Sequence, residues 1–242
     1  IVPHAYLHLI PWTALFDDSS KEFLIEICPI AVLPCLGLKR EIEKTRAGFS
    51  VFGDPYNPLN GINYPPLEYA KNEAISVAEL LGIKPLLGAD ATTARFADAL
   101  SSSDIVHVAC HGGFNLVDWK DCGIKLYDGF FGIEEFAKIG QLKGLTLVTL
   151  SSCESGLRFP DRADDMDSVV WLLLGAGVDT VLASLWKVDD SSTEKLMVAF
   201  YQDWLRSGLP KFEALRRAQL RFIHATSHPY FWAAFQLWGR WD

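Results

Sequence analysis

Apolar residues along the chain fall into two kinds of run, and the two kinds alternate. Residues 49–53 (F-S-V-F-G), 104–111 (D-I-V-H-V-A-C-H), 145–150 (L-T-L-V-T-L) and 180–188 (T-V-L-A-S-L-W-K-V) are short and almost unbroken, the pattern of strands buried on both faces. Between them, Leu67, Ala70, Ala74, Val77 and Leu81 recur at helical spacing, which predicts a helix over 67–81 stopped by Gly82. Further helices are expected over 92–100, 133–139 and 169–176. Another opens at Asp190 or Ser191, where Ser191 and Glu194 stand in a capping-box spacing, and a last one starts at Pro210. Short strands are read at 85–87 and 123–127, and residues 230–238 close the sheet. Strand and helix in alternation call for a mostly parallel sheet covered on both sides by helices.

The beginning of the chain has a different rhythm. Residues 6–15 and 23–33 read as two strands around the polar turn 17–20, an N-terminal β-hairpin. His4 and His8 would lie on one face of its first strand, read as a half-exposed polar face because no third metal ligand is near in sequence. A charged connector over 39–46 follows this hairpin, and the chain reads as a single domain over 1–242, with hairpin and connector at 1–46 and a core at 47–242.

With 242 residues, half of them apolar, the chain can bury one sizeable core. A net charge of −8 without a basic cluster gives no electrostatic footprint for nucleic acid. No apolar run approaches the roughly 20 residues of a membrane span. The five cysteines are odd in number and irregularly spaced, with neither a disulfide framework nor a zinc pattern. Reduced thiols in a cytoplasmic setting are expected from that, and neither a metal nor a cofactor. No glycine-rich phosphate loop follows the first strand of the main sheet, which argues against a nucleotide-binding domain. The start Ile1-Val2-Pro3 reads as a domain cut from a longer protein.

Two strand ends carry the chemistry. The run 145–150 leads into S-S-C-E-S-G, which places Cys153 among Ser151, Ser152, Ser155 and Gly156; the run 104–110 ends in His111, Gly112 and Gly113. Thiol and imidazole would then share the carboxyl rim of a parallel sheet, where ligands of such sheets bind. An imidazole can take the thiol proton and return it to a leaving amine. Cys110 competes as nucleophile, but as the neighbour of His111 within a strand its side chain should point to the other face. Residues 158–167, charged and containing proline, read as a mobile surface loop that rearranges on activation.

The motifs H-V-A-C-H-G (107–112), L-V-T-L-S-S-C-E-S-G (147–156) and V-L-A-S-L-W-K-V-D-D (181–190) resemble the CHAT domain, a caspase-like cysteine peptidase family related to separase. Y-L-H-L-I-P-W-T-A-L at the start and H-P-Y-F-W-A-A-F-Q-L-W-G at the end extend the likeness over essentially the whole chain. It departs at the nucleophile loop, where the family more often has S-A-C-E-T-G and this chain has Ser152 and Ser155, both still small. The resemblance implies a three-layer α/β/α sandwich and a His111–Cys153 dyad, with the Gly112 and Cys153 N–H groups as oxyanion hole. It also implies that residues 183–188 pair with an extended substrate peptide, with Ser184 and Trp186 at the groove. Asp189 and Asp190 follow at once. One of them in the first pocket would favour a basic side chain, with Asp121 and Asp128 adding to an acidic wall; helix capping is the competing role. The expected function is a cysteine endopeptidase acting on a protein substrate and regulated by an upstream tetratricopeptide-type repeat domain. The alternative is a catalytically silent scaffold that binds peptides through the same groove.

Overall fold

The computed structural model describes residues 1–33, 46–56, 65–113, 123–152, 169–225, 228–240 and 242. A six-stranded sheet forms the centre. Its strands are β3 (Phe49–Gly53), β4 (Leu86–Leu87), β5 (Ile105–Ala109), β9 (Leu147–Ser151), β10 (Thr180–Ser184) and β11 (Phe235–Gly239). Their spatial order is β11-β10-β9-β5-β3-β4, all parallel except β11, which runs antiparallel to β10.

Strand alternation sorts the apolar side chains onto two faces. Phe52, Val106, Val148 and Val181 point to one side, where α3 (Thr93–Ser102), α4 (Ile133–Lys138) and α5 (Val169–Ala176) bring Phe96, Phe136 and Leu173. Val51, Ile105, Leu147 and Leu182 point to the other, against Val77 of α2 (Glu68–Leu81), Phe200 of α6 (Asp190–Tyr201) and Leu215 of α7 (Lys211–His224). This is the three-layer sandwich read from the sequence. α2 ends as its composition requires, with Gly82 at φ 71 in the left-handed region. α3 is capped by the Thr92 side chain, which accepts from the Arg95 N–H.

A second sheet of three antiparallel strands, β6 (Gly112–Gly113), β7 (Gly123–Lys125) and β8 (Phe130–Gly132), stands at the carboxyl end of β5. The strand read at 123–127 is present over Gly123–Lys125, and it pairs on one side with the glycine pair after His111 and on the other with Phe130–Gly132.

At the N-terminus the hairpin is present but short, β1 (Phe16–Asp17) against β2 (Glu22–Phe23) around the expected turn. The long strands expected over 6–15 and 23–33 do not form. Their place is taken by 3₁₀ turns at Ala5–Leu9 and Trp12–Ala14 and by the single-turn helix α1 (Leu24–Ile27). Pro11 and Pro29 interrupt both runs, and proline can neither donate to a ladder nor leave φ near −65°. His4 and His8 consequently do not share a strand face: His4 is exposed, whereas His8 is buried with its ring 5.6 Å from that of Trp171. The connector 39–45 lies outside the described residues.

Candidate functional site

β5 and β9 are nearest neighbours in the sheet, parallel and in register, with Ala109 opposite Ser151. The Cys110 N–H carries the ladder one step further by donating to the Ser151 carbonyl at 3.3 Å. His111 stands two positions beyond Ala109, and Cys153 two positions beyond Ser151. Cys153 itself, Asp121 and residues 158–167 lie outside the described residues.

The His111 ring is anchored from across the rim. Its Nε2 lies 2.8 Å from the carbonyl oxygen of Pro65, just ahead of α2. A carbonyl can only accept, so Nε2 carries the proton, and Nδ1 is the basic nitrogen of the neutral ring. A backbone carbonyl has no side-chain signature, so this partner of His111 cannot be read from the sequence.

The backbone around His111 is fixed by the small sheet. Lys125 N–H donates to the His111 carbonyl at 2.8 Å, and Gly112 stands opposite Ile124. In an antiparallel ladder, hydrogen-bonded and non-bonded pairs alternate, so the Gly112 N–H is turned away from β7.

A cavity of about 240 Å³ opens beside His111. That is smaller than the roughly 300–1,000 Å³ of drug-sized ligand sites and suits one amino-acid side chain. Its wall on one side comes from Leu67, Ala70 and Glu73 of the α2 region; on the other it comes from Lys187, Val188, Asp190 and Thr193 at the start of α6. Cys110, Ser151 and Ser152 lie between them at the strand ends. Cys110 is buried and packs with Val106 and Val108 in the core on the face away from α2 and α6, as strand alternation requires, although it also borders the cavity at the strand end.

The two adjacent aspartates part company here. Asp189 is the cap of α6: its Oδ2 accepts from the Ser192 N–H at 2.9 Å, and its carbonyl accepts from the Thr193 hydroxyl. The cap is thus Asp189, and the expected Ser191–Glu194 box is not the one used. Asp190 is half-buried and faces the cavity. Burial pushes its pKa up. The His111 and Lys187 charges pull the other way, and those of Asp189 and Glu73 add to the rise. Asp128 is occupied elsewhere, accepting from both the N–H and the hydroxyl of Thr93 at the start of α3.

Ser184 is fully buried at the end of β10, and its hydroxyl donates to the carbonyl of Ser152, the residue before Cys153, at 2.7 Å. Trp186 is half-buried, packs between both cores and donates from Nε1 to the Tyr230 carbonyl at 3.1 Å.

Below the cavity lies a polar group that sequence reading passed over. Glu73, 2% exposed, sits with Oε1 3.0 Å from Nε2 of the fully buried His107. This is ion-pair distance, without the alignment of a hydrogen bond. The His107 ring meets the Tyr201 ring edge-on at 5.5 Å, and the Tyr201 and Thr149 hydroxyls are 2.8 Å apart. The signal was available: Glu73 interrupts the apolar stripe of α2, and His107 interrupts the apolar run of β5. A polar residue on a buried face marks a partner. Among the described residues no group of three or more His, Cys, Asp or Glu side chains is gathered as metal ligands. No described helix is long and apolar enough to cross a membrane.

Known proteins are similar to this chain in sequence and in fold. The sequence matches the CHAT domain family over residues 1–240. Tetratricopeptide repeat protein 28 of Homo sapiens is 28% identical over 99% of this chain, and that of Mus musculus is 26% identical over the same share. The chain spans only 12% of the length of either. Among solved structures, Saccharomyces cerevisiae separase, in its complex with securin, superposes with a TM-score of 0.62 at 16% identity, over 96% of this chain and 14% of that one. The Arg-specific cysteine proteinase gingipain R superposes with a TM-score of 0.58 at 10% identity, over 80% of this chain and 46% of that one. The fold is therefore that of caspase-like peptidases, and the chain belongs to the CHAT domain family.

Proposed function

We propose that this chain is the peptidase domain of a cysteine endopeptidase, with His111 and Cys153 as its dyad. The observation that carries the reading is the in-register parallel pair β5–β9, with the His111 ring held at its carboxyl end by the Pro65 carbonyl. Nδ1 of His111 takes the proton from Cys153 Sγ, and the thiolate attacks the scissile carbonyl. The N–H groups of Gly112 and Cys153 receive the oxyanion, for which the outward turn of Gly112 N–H is the supporting geometry. Collapse expels the amine, which takes the proton back from Nδ1 and leaves a thioester on Cys153. Water, deprotonated by His111, then hydrolyses that acyl group and restores the thiol.

The cavity beside His111 receives the substrate side chain just before the scissile bond. Asp190 supplies its carboxylate, with the buried Glu73 behind it, so a lysine or arginine is the favoured occupant. Asp189 is a helix cap in this reading. Ser184 acts by holding the Ser152 carbonyl, and Trp186 by bracing the segment that precedes Asp190. The curated relatives are named for tetratricopeptide repeats, and an array of that kind is the proposed regulatory partner. A cytoplasmic setting with reduced thiols suits the chemistry.

The test is incubation of the chain with peptides carrying a thiol-reactive electrophile after lysine, arginine or a neutral residue. Adduct formation is read by mass spectrometry. Selective modification of Cys153 by the basic probes, lost in His111→Ala, is the expected outcome. Equal labelling of every cysteine, or none in chain activated by its parent protein, would leave the peptide-binding scaffold as the account.

A further inference from the structure

We propose that Asp54 is a positioning residue that fixes the tautomer and direction of His111 by joining the two segments between which the ring is held. This rests on the reading of His111 as the catalytic base. Asp54 follows the last residue of β3, next to β5 in the sheet. Its N–H donates to the Ala109 carbonyl at 3.0 Å, two residues before His111. Its Oδ1 accepts from the Leu67 N–H at 2.9 Å, two residues after the Pro65 whose carbonyl accepts from the His111 ring. One residue thus grips the strand that delivers the imidazole and the segment that orients it.

The backbone at this point marks a requirement beyond a simple turn. Asp54 has φ 41, in the left-handed region, and among the described residues only Lys21 is another non-glycine there. Non-glycine residues enter that region at an energetic cost, and such strain persists where surrounding bonds over-determine it. Here the Tyr56 N–H also donates to the Asp54 carbonyl, at 2.7 Å. Glycine would satisfy the turn alone. Only a short side chain with an acceptor oxygen satisfies both the turn and the Leu67 N–H, and aspartate and asparagine are the residues that combine the two. The Leu67 side chain offers no cap to α2, so the Asp54 carboxylate also serves the positive end of that helix. Gly53 lets the two parts meet: a Cβ there would stand 2.4 Å from the Ala74 Cβ of α2.

The variants D54N, D54G, D54A and H111A, each in the full chain, separate this inference from the reading it rests on. Asparagine keeps the acceptor and tolerates the backbone; glycine keeps the backbone and removes the acceptor; alanine removes the acceptor by a second route should glycine fail to fold. Ring ¹⁵N resonances of His111 report the tautomer without reference to peptidase activity. Wild type and D54N are expected to hold a single Nε2–H form, while D54G and D54A average between tautomers. Alkylation of Cys153 by iodoacetamide at neutral pH should slow roughly 10- to 100-fold in D54G and D54A, the scale of a misplaced catalytic group, and stay within about twofold in D54N. A native melting curve for the slowed variant separates this from unfolding. An unchanged tautomer and alkylation rate in both D54G and D54A would overturn the role of Asp54 and leave the dyad standing. Alkylation of H111A at the wild-type rate would instead remove the dyad, and the tautomer measurement then decides Asp54 alone.

Discussion

Asp189 and Asp190 are adjacent and chemically identical, yet each carboxylate serves a different neighbour. Asp189 is tied to the Ser192 N–H, whereas Asp190 faces the cavity beside His111. Asp189→Asn keeps a capping oxygen and should leave stability and substrate preference nearly unchanged, whereas Asp190→Asn should remove the preference for basic residues. Paired peptide series that differ in that one residue, together with melting curves, check both outcomes; a preference unmoved by Asp190→Asn sinks the pocket assignment. The sign of the pH effect follows from burial. An acid whose pKa is raised on folding binds its proton more tightly in the folded chain than in the unfolded one. Its contribution favours folding at low pH and is lost as pH rises from the unfolded value through the raised one. Asp190→Asn, freed of that loss, should therefore gain stability relative to wild type between about pH 4 and about pH 7. Urea melts at the two values measure it, and a relative loss would contradict a raised pKa. Discrimination for basic peptides by the wild type should rise over the same direction of pH, because only the ionised carboxylate attracts a cation.

At the scale of elements, α6 and α2 are keyed to the sheet by small and polar contacts set in apolar faces. Tyr201 of α6 meets Thr149 of β9 through their hydroxyls, and burial pushes the Tyr201 pKa up, so the phenol stays a donor. Tyr201→Phe leaves the Thr149 hydroxyl buried without its partner and should cost about 1–3 kcal/mol in urea melts. Adding Thr149→Val removes the stranded group, and the double variant should cost less than the sum of the singles. Additive losses would mean the hydroxyl pair contributes nothing. Gly53→Ala is expected to cost about 1–3 kcal/mol as well, since its Cβ would collide with Ala74 and force α2 outward. These contacts also explain what the sequence makes legible. The runs 49–53, 105–109, 147–151 and 180–184 read as buried strands because both faces of each are apolar. α2, α3, α6 and α7 read as helices because one stripe is. The N-terminal runs carried as much apolar residue as any strand, but prolines deny them a continuous ladder. His111 and Cys153 stand out in the sequence because each follows an apolar strand-type run and is flanked by glycine or serine. Pro65 acts through a carbonyl, and Asp54 and Glu73 act on groups distant in sequence, so neither composition nor periodicity announces them.

At the scale of the molecule, residues 1–33 are built into the fold rather than hung beside it. Val32 bridges to Trp238 of β11, donating to the Leu237 carbonyl at 2.8 Å and accepting from the Gly239 N–H at 3.0 Å. The segment thus covers the antiparallel edge of the main sheet, an edge that would otherwise present open backbone groups. Phe23 stacks edge-on against the fully buried Trp232 at 5.2 Å. The Arg216 guanidinium of α7 donates to the carbonyls of Ile25 and Glu26, each at 2.7 Å. Ile25 and Val32 are each 1% exposed. Burial of two such side chains contributes about 3–6 kcal/mol, a large share of the roughly 5–15 kcal/mol that holds a domain folded. A cut at residue 46 would therefore divide one core. A chain beginning at residue 47 should lose cooperative melting or associate through the uncovered β11 edge, seen as high-mass species in size-exclusion chromatography. The effect should reach the site as well. β11 pairs along the whole of β10, the Leu185 N–H donates to the Ala234 carbonyl, and Trp186 holds the Tyr230 carbonyl just before the segment that carries Asp190. Reactivity of Cys153 toward a basic peptide electrophile is thus expected to fall together with the melting transition. A monomeric 47–242 chain that melts within a few degrees of the whole and labels at the same rate would show the N-terminal segment to be dispensable.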